Sequence, residues 1–240
     1  MCGKFTAKQS WRDLVSLAQL VLQPAGEGRL VAAGDPVMAV GEIALQTPMR
    51  LAPIVCLDDT GERTVVQMRW GWVDPNTADP LKKPGMMHAR GETAGIKPLW
   101  KQAFANTRGV TFVQTFNVGE ELPNGRVKQW TCRRADGKPL AIAVIWEKWV
   151  HPRFGSLHTY VPVTTFSPEI VNTKDDRFPV LLDSDEDIAL WLGETGAPLE
   201  EIKTMVRVYD SELIVEEEKK DEPAKAKLAR RTDERQASLF

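Results

Sequence analysis

The sequence predicts an α+β fold, rich in β-structure, with mainly antiparallel strands in a barrel-like arrangement and a few helices. Three observations carry this expectation. Apolar or alternating runs of strand length recur at hairpin intervals, at 64–70, 110–118, 127–132, 140–149, 157–165 and 178–182. Turn signals separate several of them, among them Pro123-Asn124-Gly125 and Asp136-Gly137. Few helical patterns lie between the strands, which argues against a doubly wound parallel sheet.

Taken in chain order, Trp11, Leu14, Val15, Ala18, Val21 and Leu22 fall at helical spacing and predict a helix over 8–23, ended by Pro24, Gly26 and Gly28. Residues 36–53 read as loop with short strand. Residues 64–70 form a strand that leaves through the turn-rich Trp70-Gly71-Trp72-Val73-Asp74-Pro75, and 76–85 form a loop. A short helix is expected over 99–105. The runs at 110–118 and 127–132 pair through the Pro123-Asn124-Gly125 turn. Long apolar strands follow at 140–149 and 157–165, then a short one at 178–182. Ser184-Asp185-Glu186-Asp187 has the pattern of a capping box and opens a helix through Leu192.

The 240 residues are 42% hydrophobic and 27% charged, ordinary values for a soluble globular protein with one sizeable core. The composition changes after Val215. The run Glu216 to Glu222 is charged throughout and Pro, Ala and Lys follow it, too little apolar material to offset the entropy of ordering. The expected organisation is one domain over 1–215 and a disordered charged tail over 216–240. A formal net charge of -2 requires any nucleic-acid role to use a local basic cleft. No apolar run reaches membrane-spanning length, so no membrane partner is expected. Cys2, Cys56 and Cys132 lack metal-ligand spacing, so neither metal nor other cofactor is expected. Sparse cysteine and no signal-like segment fit a reducing cytoplasm. Cys56 and Cys132 lie in strand-like runs and read as inert buried thiols; Trp146 and Trp149 read as core.

The chemistry-bearing stretch is Met1-Cys2-Gly3-Lys4-Phe5. Aminopeptidases remove an initiator Met before a small residue, so the mature chain is expected to begin at Cys2. That places an α-amine and a thiol on one two-carbon unit. Such a 1,2-aminothiol condenses with an aldehyde to a thiazolidine. The α-amine, with a reference pKa of ~7.7–8.0 against ~10.4 for lysine, offers a far larger fraction of free base at neutral pH. The thiol, near ~8.5, is partly ionised as well.

Six segments share a family pattern. They are Met1 to Phe5, Leu51-Ala52-Pro53, Met68 to Val73, Met87-His88-Ala89-Arg90-Gly91-Glu92-Thr93, Ala143 to Glu147, and Thr164-Thr165 with Asp176-Arg177-Phe178-Pro179-Val180-Leu181-Leu182. In this order they resemble motifs of the SRAP domain family (SOS response-associated peptidase), which includes abasic-site crosslinking proteins. The resemblance runs from residue 1 to about 193. It implies a β-rich fold with a positive cleft that binds single-stranded DNA at abasic sites. The ring-opened sugar of such a site carries the aldehyde that Cys2 would trap. The expected role is in the DNA damage response at replication forks, by a monomer with a nucleoid-associated location in the cytoplasm.

The resemblance implies catalytic roles for Cys2 and for an acid/base pair. Here the family Asn is His88, the family His is Asp175, and the family Glu maps to Glu120. One reading relocates the imidazole to His88, with Asp175 orienting it. The other reading is that crosslinking is slowed or lost. Arg90 and Arg177 are expected to hold phosphates by bidentate contacts, with salt bridging to Glu92 or Asp176 as the alternative. Lys4 adds to the same patch, and Arg50 stands where the family has Asn. Pro53 and Trp70 are read as wedge or stacking residues beside the lesion. The closing Gln236-Ala237-Ser238-Leu239-Phe240 resembles a sliding-clamp-binding peptide, with Gln236, Ser238, Leu239 and Phe240 as contacts and the bacterial clamp as partner. Three functions stay open: a covalent abasic-site sensor, a non-covalent single-stranded-DNA adaptor on the clamp, and a cysteine-type self-processing peptidase. The family's enzyme types, peptidase, crosslinking and lyase, come with them.

Overall fold

The computed structural model describes residues 4–7, 16, 44–46, 49–74, 77, 86–151, 155–172 and 175–218. The helix expected over 8–23 and the loop expected over 76–85 lie outside the described residues, apart from Ser16 and Thr77. The strands are β1 (Lys4–Ala7), β2 (Ala44–Gln46), β3 (Leu51–Leu57), β4 (Arg63–Trp70), β5 (Ala89–Arg90), β6 (Arg108–Val113), β7 (Thr115–Glu121), β8 (Val127–Arg134), β9 (Leu140–His151), β10 (Gly155–Phe166), β11 (Arg177–Pro179), β12 (Leu181–Leu182) and β13 (Leu213–Glu217). The helices are α1 (Gly91–Ala94), α2 (Pro98–Asn106), α3 (Glu169–Asn172), α4 (Asp185–Leu192) and α5 (Leu199–Lys203).

The strands form two sheets. One has five strands in the order β13-β8-β7-β1-β2. In the other, β3 pairs with β4, β4 with β10, β10 with β9, β9 with β6 and β6 with β3, which closes a five-stranded barrel. Closure leaves those strands without an open edge. Among the described residues, all pairings are antiparallel except those of β10 with β4 and β5.

Strand alternation sorts the barrel wall into two cores. Val55, Val65, Val110, Ala143, Ile145, Val161 and Val163 pack with Phe104 of α2 and Trp191 of α4. Ile54, Met68, Trp70, Ile142, Val144 and Tyr160 pack with Phe5 of β1 and Phe116 of β7. Cys56 and Cys132 are buried, and burial pushes the Cys56 thiol up to about 12. Trp149 is buried, and half-buried Trp146 donates its indole N–H to the Arg108 carbonyl at 3.2 Å.

Three expectations change. The run 110–118 is two strands, because the chain passes from the barrel to the other sheet at Gln114. There Gln114 N–H donates to Thr6 O at 2.7 Å and its side-chain amide to Gly137 O at 3.0 Å. The run 178–182 divides at Val180, so that β11 pairs with β10 and β12 with β9. Glu216 and Glu217, placed by composition in the tail, pair with Thr131 and Trp130 as the end of β13. Charged residues are compatible with an edge strand, whose outer side faces water. The capping residue at Ser184 is as expected: its hydroxyl accepts from Asp187 N–H at 3.1 Å and opens α4.

One buried arginine ties the helices to the barrel. Arg108, at the start of β6, donates to the carbonyls of Phe104 and Ala105 at the end of α2 and of Trp191 in α4. It satisfies the carbonyls that helix ends leave unpaired. Gly193 closes α4 at φ 99°, and a Cβ there would lie 2.7 Å from Arg108 Nη2, so this position requires glycine. Arg108→Met leaves those carbonyls buried and unpaired, a loss of about 3 kcal/mol. The expected drop in thermal midpoint is roughly 6–12 °C, measured by calorimetry.

Candidate functional site

The site is built on the far end of β10, because two short strands pair with it there from opposite sides. β5 joins in parallel, with Ala89 opposite Val163 and Arg90 opposite Thr164. β11 joins antiparallel, with Pro179 opposite Thr164 and Arg177 opposite Phe166. The 87–93 motif and the 176–182 motif therefore meet across Thr164-Thr165-Phe166, although about eighty residues of sequence separate them.

Arg177 is the centre of the polar contacts. Its side chain is buried, and its two terminal nitrogens each donate to a Glu92 carboxylate oxygen at 2.9 Å. Nη2 also donates to Thr164 O at 2.7 Å and to the Thr164 hydroxyl at 3.1 Å. The direct phosphate contact expected of Arg177 is thus corrected: its fork is closed on Glu92, because a buried guanidinium needs a counter-charge. Partial burial pushes the Glu92 carboxyl up, but the hydrogen bonds and charge of Arg177, with the charge of Arg90, bring it below its ordinary value. Arg90 itself is exposed and remains accessible to a phosphate. Asp175 is buried, and its Oδ1 accepts from Arg177 N–H at 3.1 Å, which holds the chain where it enters β11.

His88 stands on the other side, against Trp70. The two rings meet edge-on with centroids 5.8 Å apart. Trp70 is also stacked on Phe5 at 4.6 Å and near Tyr160 at 6.4 Å, and its indole N–H donates to Met87 O at 2.8 Å. The expectation that Trp70 stacks on DNA is corrected, since the ring is 0% exposed and has no free face. Alternation along β4 points Trp70 with Met68 into the core shared with Phe5, where burial of a large ring is most favourable. Pro53 is half-buried within β3, and its carbonyl accepts from Thr111. Arg50 is exposed, and its carbonyl accepts from Trp70 N–H at 3.0 Å. Glu120, near the end of β7, accepts from the Trp130 indole at 2.7 Å, with the Lys128 ammonium 4.4 Å from the Trp130 ring.

Lys4 lies in β1 opposite Asn117. Cys2 and the terminal peptide with Gln236, Ser238, Leu239 and Phe240 lie outside the described residues. The stack of Phe5 on Trp70, with His88 at the edge of Trp70, ties the amino-terminal strand to the site.

Two side chains were not singled out from sequence. Thr164 supplies both its carbonyl and its hydroxyl to Arg177, and the Thr164-Thr165 pair was its only signal. Phe166 is 59% exposed, with the Arg177 guanidinium 5.2 Å from its ring centroid. Among the described residues, no group of three or more His, Cys, Asp or Glu has the arrangement of a metal site. No helix among them is long and apolar enough to cross a membrane.

A closed barrel backed by a second sheet, with a buried arginine–glutamate pair and an exposed arginine at the far end of β10, defines a β-rich protein whose polar site is carried by the barrel. The profile of the SOS response associated peptidase (SRAP) family matches residues 1–220, and the chain belongs to that family. The abasic site processing protein YoqW of Bacillus subtilis is 23% identical over 216 residues, covering 88% of this chain and 89% of that one. The abasic site processing protein HMCES of Xenopus tropicalis is 25% identical over 178 residues, 64% of this chain and 52% of that one. A solved Bordetella bronchiseptica protein shares the fold with a TM-score of 0.68, at 21% identity, over 91% of this chain and 100% of that one.

Proposed function

We propose that the protein recognises abasic sites in single-stranded DNA and traps them through Cys2. Family membership and the names of its relatives support abasic-site processing in general. The observation that carries the covalent reading is the Phe5–Trp70–His88 stack, because Cys2 precedes Phe5 by only three residues. Three residues span at most about 10 Å, so the proposal requires the chain before Phe5 to run toward the His88 imidazole.

In the proposed reaction the Cys2 α-amine adds to the aldehyde carbon of the ring-opened sugar. The carbinolamine loses one water to give an imine, and the Cys2 sulfur adds to the imine carbon. One C–N and one C–S bond form, one water leaves, and no redox partner is needed. His88 is the proposed proton carrier for the water loss, taking the part of the family acid/base group. Arg90 holds a phosphate of the strand, and Lys4 and Arg50 extend the cationic path. Glu92 and Thr164 keep Arg177 fixed beneath it.

The test is a denaturing gel after incubation with uracil-excised single-stranded DNA. A retained band that disappears when the aldehyde is first capped with methoxyamine is the expected outcome. Salt-sensitive binding with no retained band refutes the covalent reading and leaves a non-covalent adaptor. The peptide at 236–240 is proposed to dock into the groove of a bacterial sliding clamp, which would raise the local concentration of the protein at forks. Deleting 236–240 is expected to abolish capture by immobilised clamp while leaving DNA binding intact; unchanged capture would exclude that role.

A further inference from the structure

We propose that Arg69 anchors an oxyanion site, for a phosphate group, on the side of β4 opposite Trp70. Alternation along β4 sends Met68 and Trp70 to the core shared with Phe5, and Arg69 to the other side of the strand. There it lies between Leu51 of β3 and Thr159 of β10, its register partners.

Arg69 is 6% exposed, and its Nε and Nη2 have no hydrogen-bond partner among the described residues. Burial lowers its affinity for the proton. The same molecule treats its other buried arginines differently. Arg108 donates to three helix carbonyls, and Arg177, although its Nε also has no hydrogen-bond partner among the described residues, meets the Glu92 carboxylate and Thr164 through its terminal nitrogens. A buried guanidinium with open donors is costly unless something outside the chain supplies the acceptor.

A second donor is open nearby in the chain. Gly71, at φ 119°, turns the chain after β4, and Val73 N–H then donates to the Thr159 hydroxyl at 3.3 Å. The segment after the turn therefore returns alongside the residue that Arg69 faces. Trp72 within it is 6% exposed, and its indole N–H also has no partner among the described residues. Guanidinium and indole donate and do not accept, so the fitting occupant is an acceptor-only group. The planar fork of arginine matches the oxygens of a phosphate. Leu51 and Met86, 49% and 48% exposed, lie beside this region, and Met86 O accepts from Trp72 N–H at 3.0 Å, so the site lies close beneath the surface.

The phosphate has two sources, inorganic phosphate or the backbone of a bound strand. The inference does not rest on the Cys2 chemistry, and its test requires no crosslink. Full-length wild type and Arg69→Met are melted in phosphate-free buffer and with inorganic phosphate, at matched ionic strength. The variant is expected to melt no lower than wild type without phosphate, since it loses an uncompensated charge. Salt dependence of binding to undamaged single-stranded DNA is measured in parallel. A log–log slope smaller by about 0.7 in the variant assigns the backbone phosphate. Phosphate stabilisation of wild type alone, without that slope change, assigns free phosphate. Neither effect, or a variant that melts several degrees lower in phosphate-free buffer whatever else is seen, overturns the proposal; the latter means that the chain itself supplies the acceptor.

Discussion

Cys2→Ala is expected to remove the denaturation-resistant DNA adduct completely, while salt-sensitive binding to single-stranded DNA stays within about twofold. The amine alone, whether at the terminus or on Lys4, forms an imine that water reverses; only the adjacent sulfur closes a ring. Cys2→Ser keeps the amine and offers a much weaker nucleophile, so its band is also expected to be lost on heating. His88→Ala retains both reacting atoms and loses the proposed proton carrier. Its adduct should form more slowly, on the order of 100-fold, with the same end point. A time course of band formation reads all three variants. An adduct in Cys2→Ala would exclude the thiazolidine, and an unchanged rate in His88→Ala would exclude the proton-transfer role without touching the covalent one.

Glu92→Gln is expected to weaken the fold and the site together. The substitution keeps the shape and one acceptor oxygen but removes the charge that Arg177 faces, leaving a buried guanidinium with only neutral acceptors, the amide oxygen and Thr164. Breaking a buried pair from one side costs ~3–5 kcal/mol, and partial exposure of Glu92 reduces this to about 2 kcal/mol here. The same pair has a pH signature. The folded-state pKa of Glu92 lies below its unfolded value. Its contribution is therefore fully present above the unfolded value, near ~4.3, and is lost as pH falls through the folded value. Wild type should lose stability below about pH 4.3 more steeply than Glu92→Gln, as followed by denaturant melts across that range. Parallel acid profiles in the two proteins would mean that the pair contributes nothing to folding. DNA affinity should fall in Glu92→Gln as well, because β11 and the end of β10 lose the contact that aligns Arg177 against Phe166.

Local patterns were most informative where one residue suffices for the outcome. Ser184 opens α4 because a hydroxyl in that position meets a free N–H. Pro123-Asn124-Gly125 turns β7 into β8 because glycine accepts φ 74° at low cost. The buried thiols Cys56 and Cys132 followed from their apolar strands. The roles of the arginines did not follow. Arg90 and Arg177 occupy equivalent places in their motifs, yet one faces solvent and the other faces Glu92. Arg69, inside the Met68-Arg69-Trp70 motif, drew no assignment, because burial and open donors are visible only when a side chain's neighbours are known. Trp70 looked like a surface ring for the same reason, since a Trp at a strand end is written identically whether it meets a base or Phe5.

Residue order alone thus established the β-rich α+β class, most of the strands and the motifs that mark the family, since each depends on neighbours a few positions away. The closed barrel, the division of 110–118 between two sheets, the meeting of residues 87–93 with 176–182 on β10, and the pairing of Arg177 with Glu92 emerged only in three dimensions. These depend on contacts between segments far apart in the chain, whose partners are selected by packing and by the need to neutralise buried charge, and nothing in a local window records that selection.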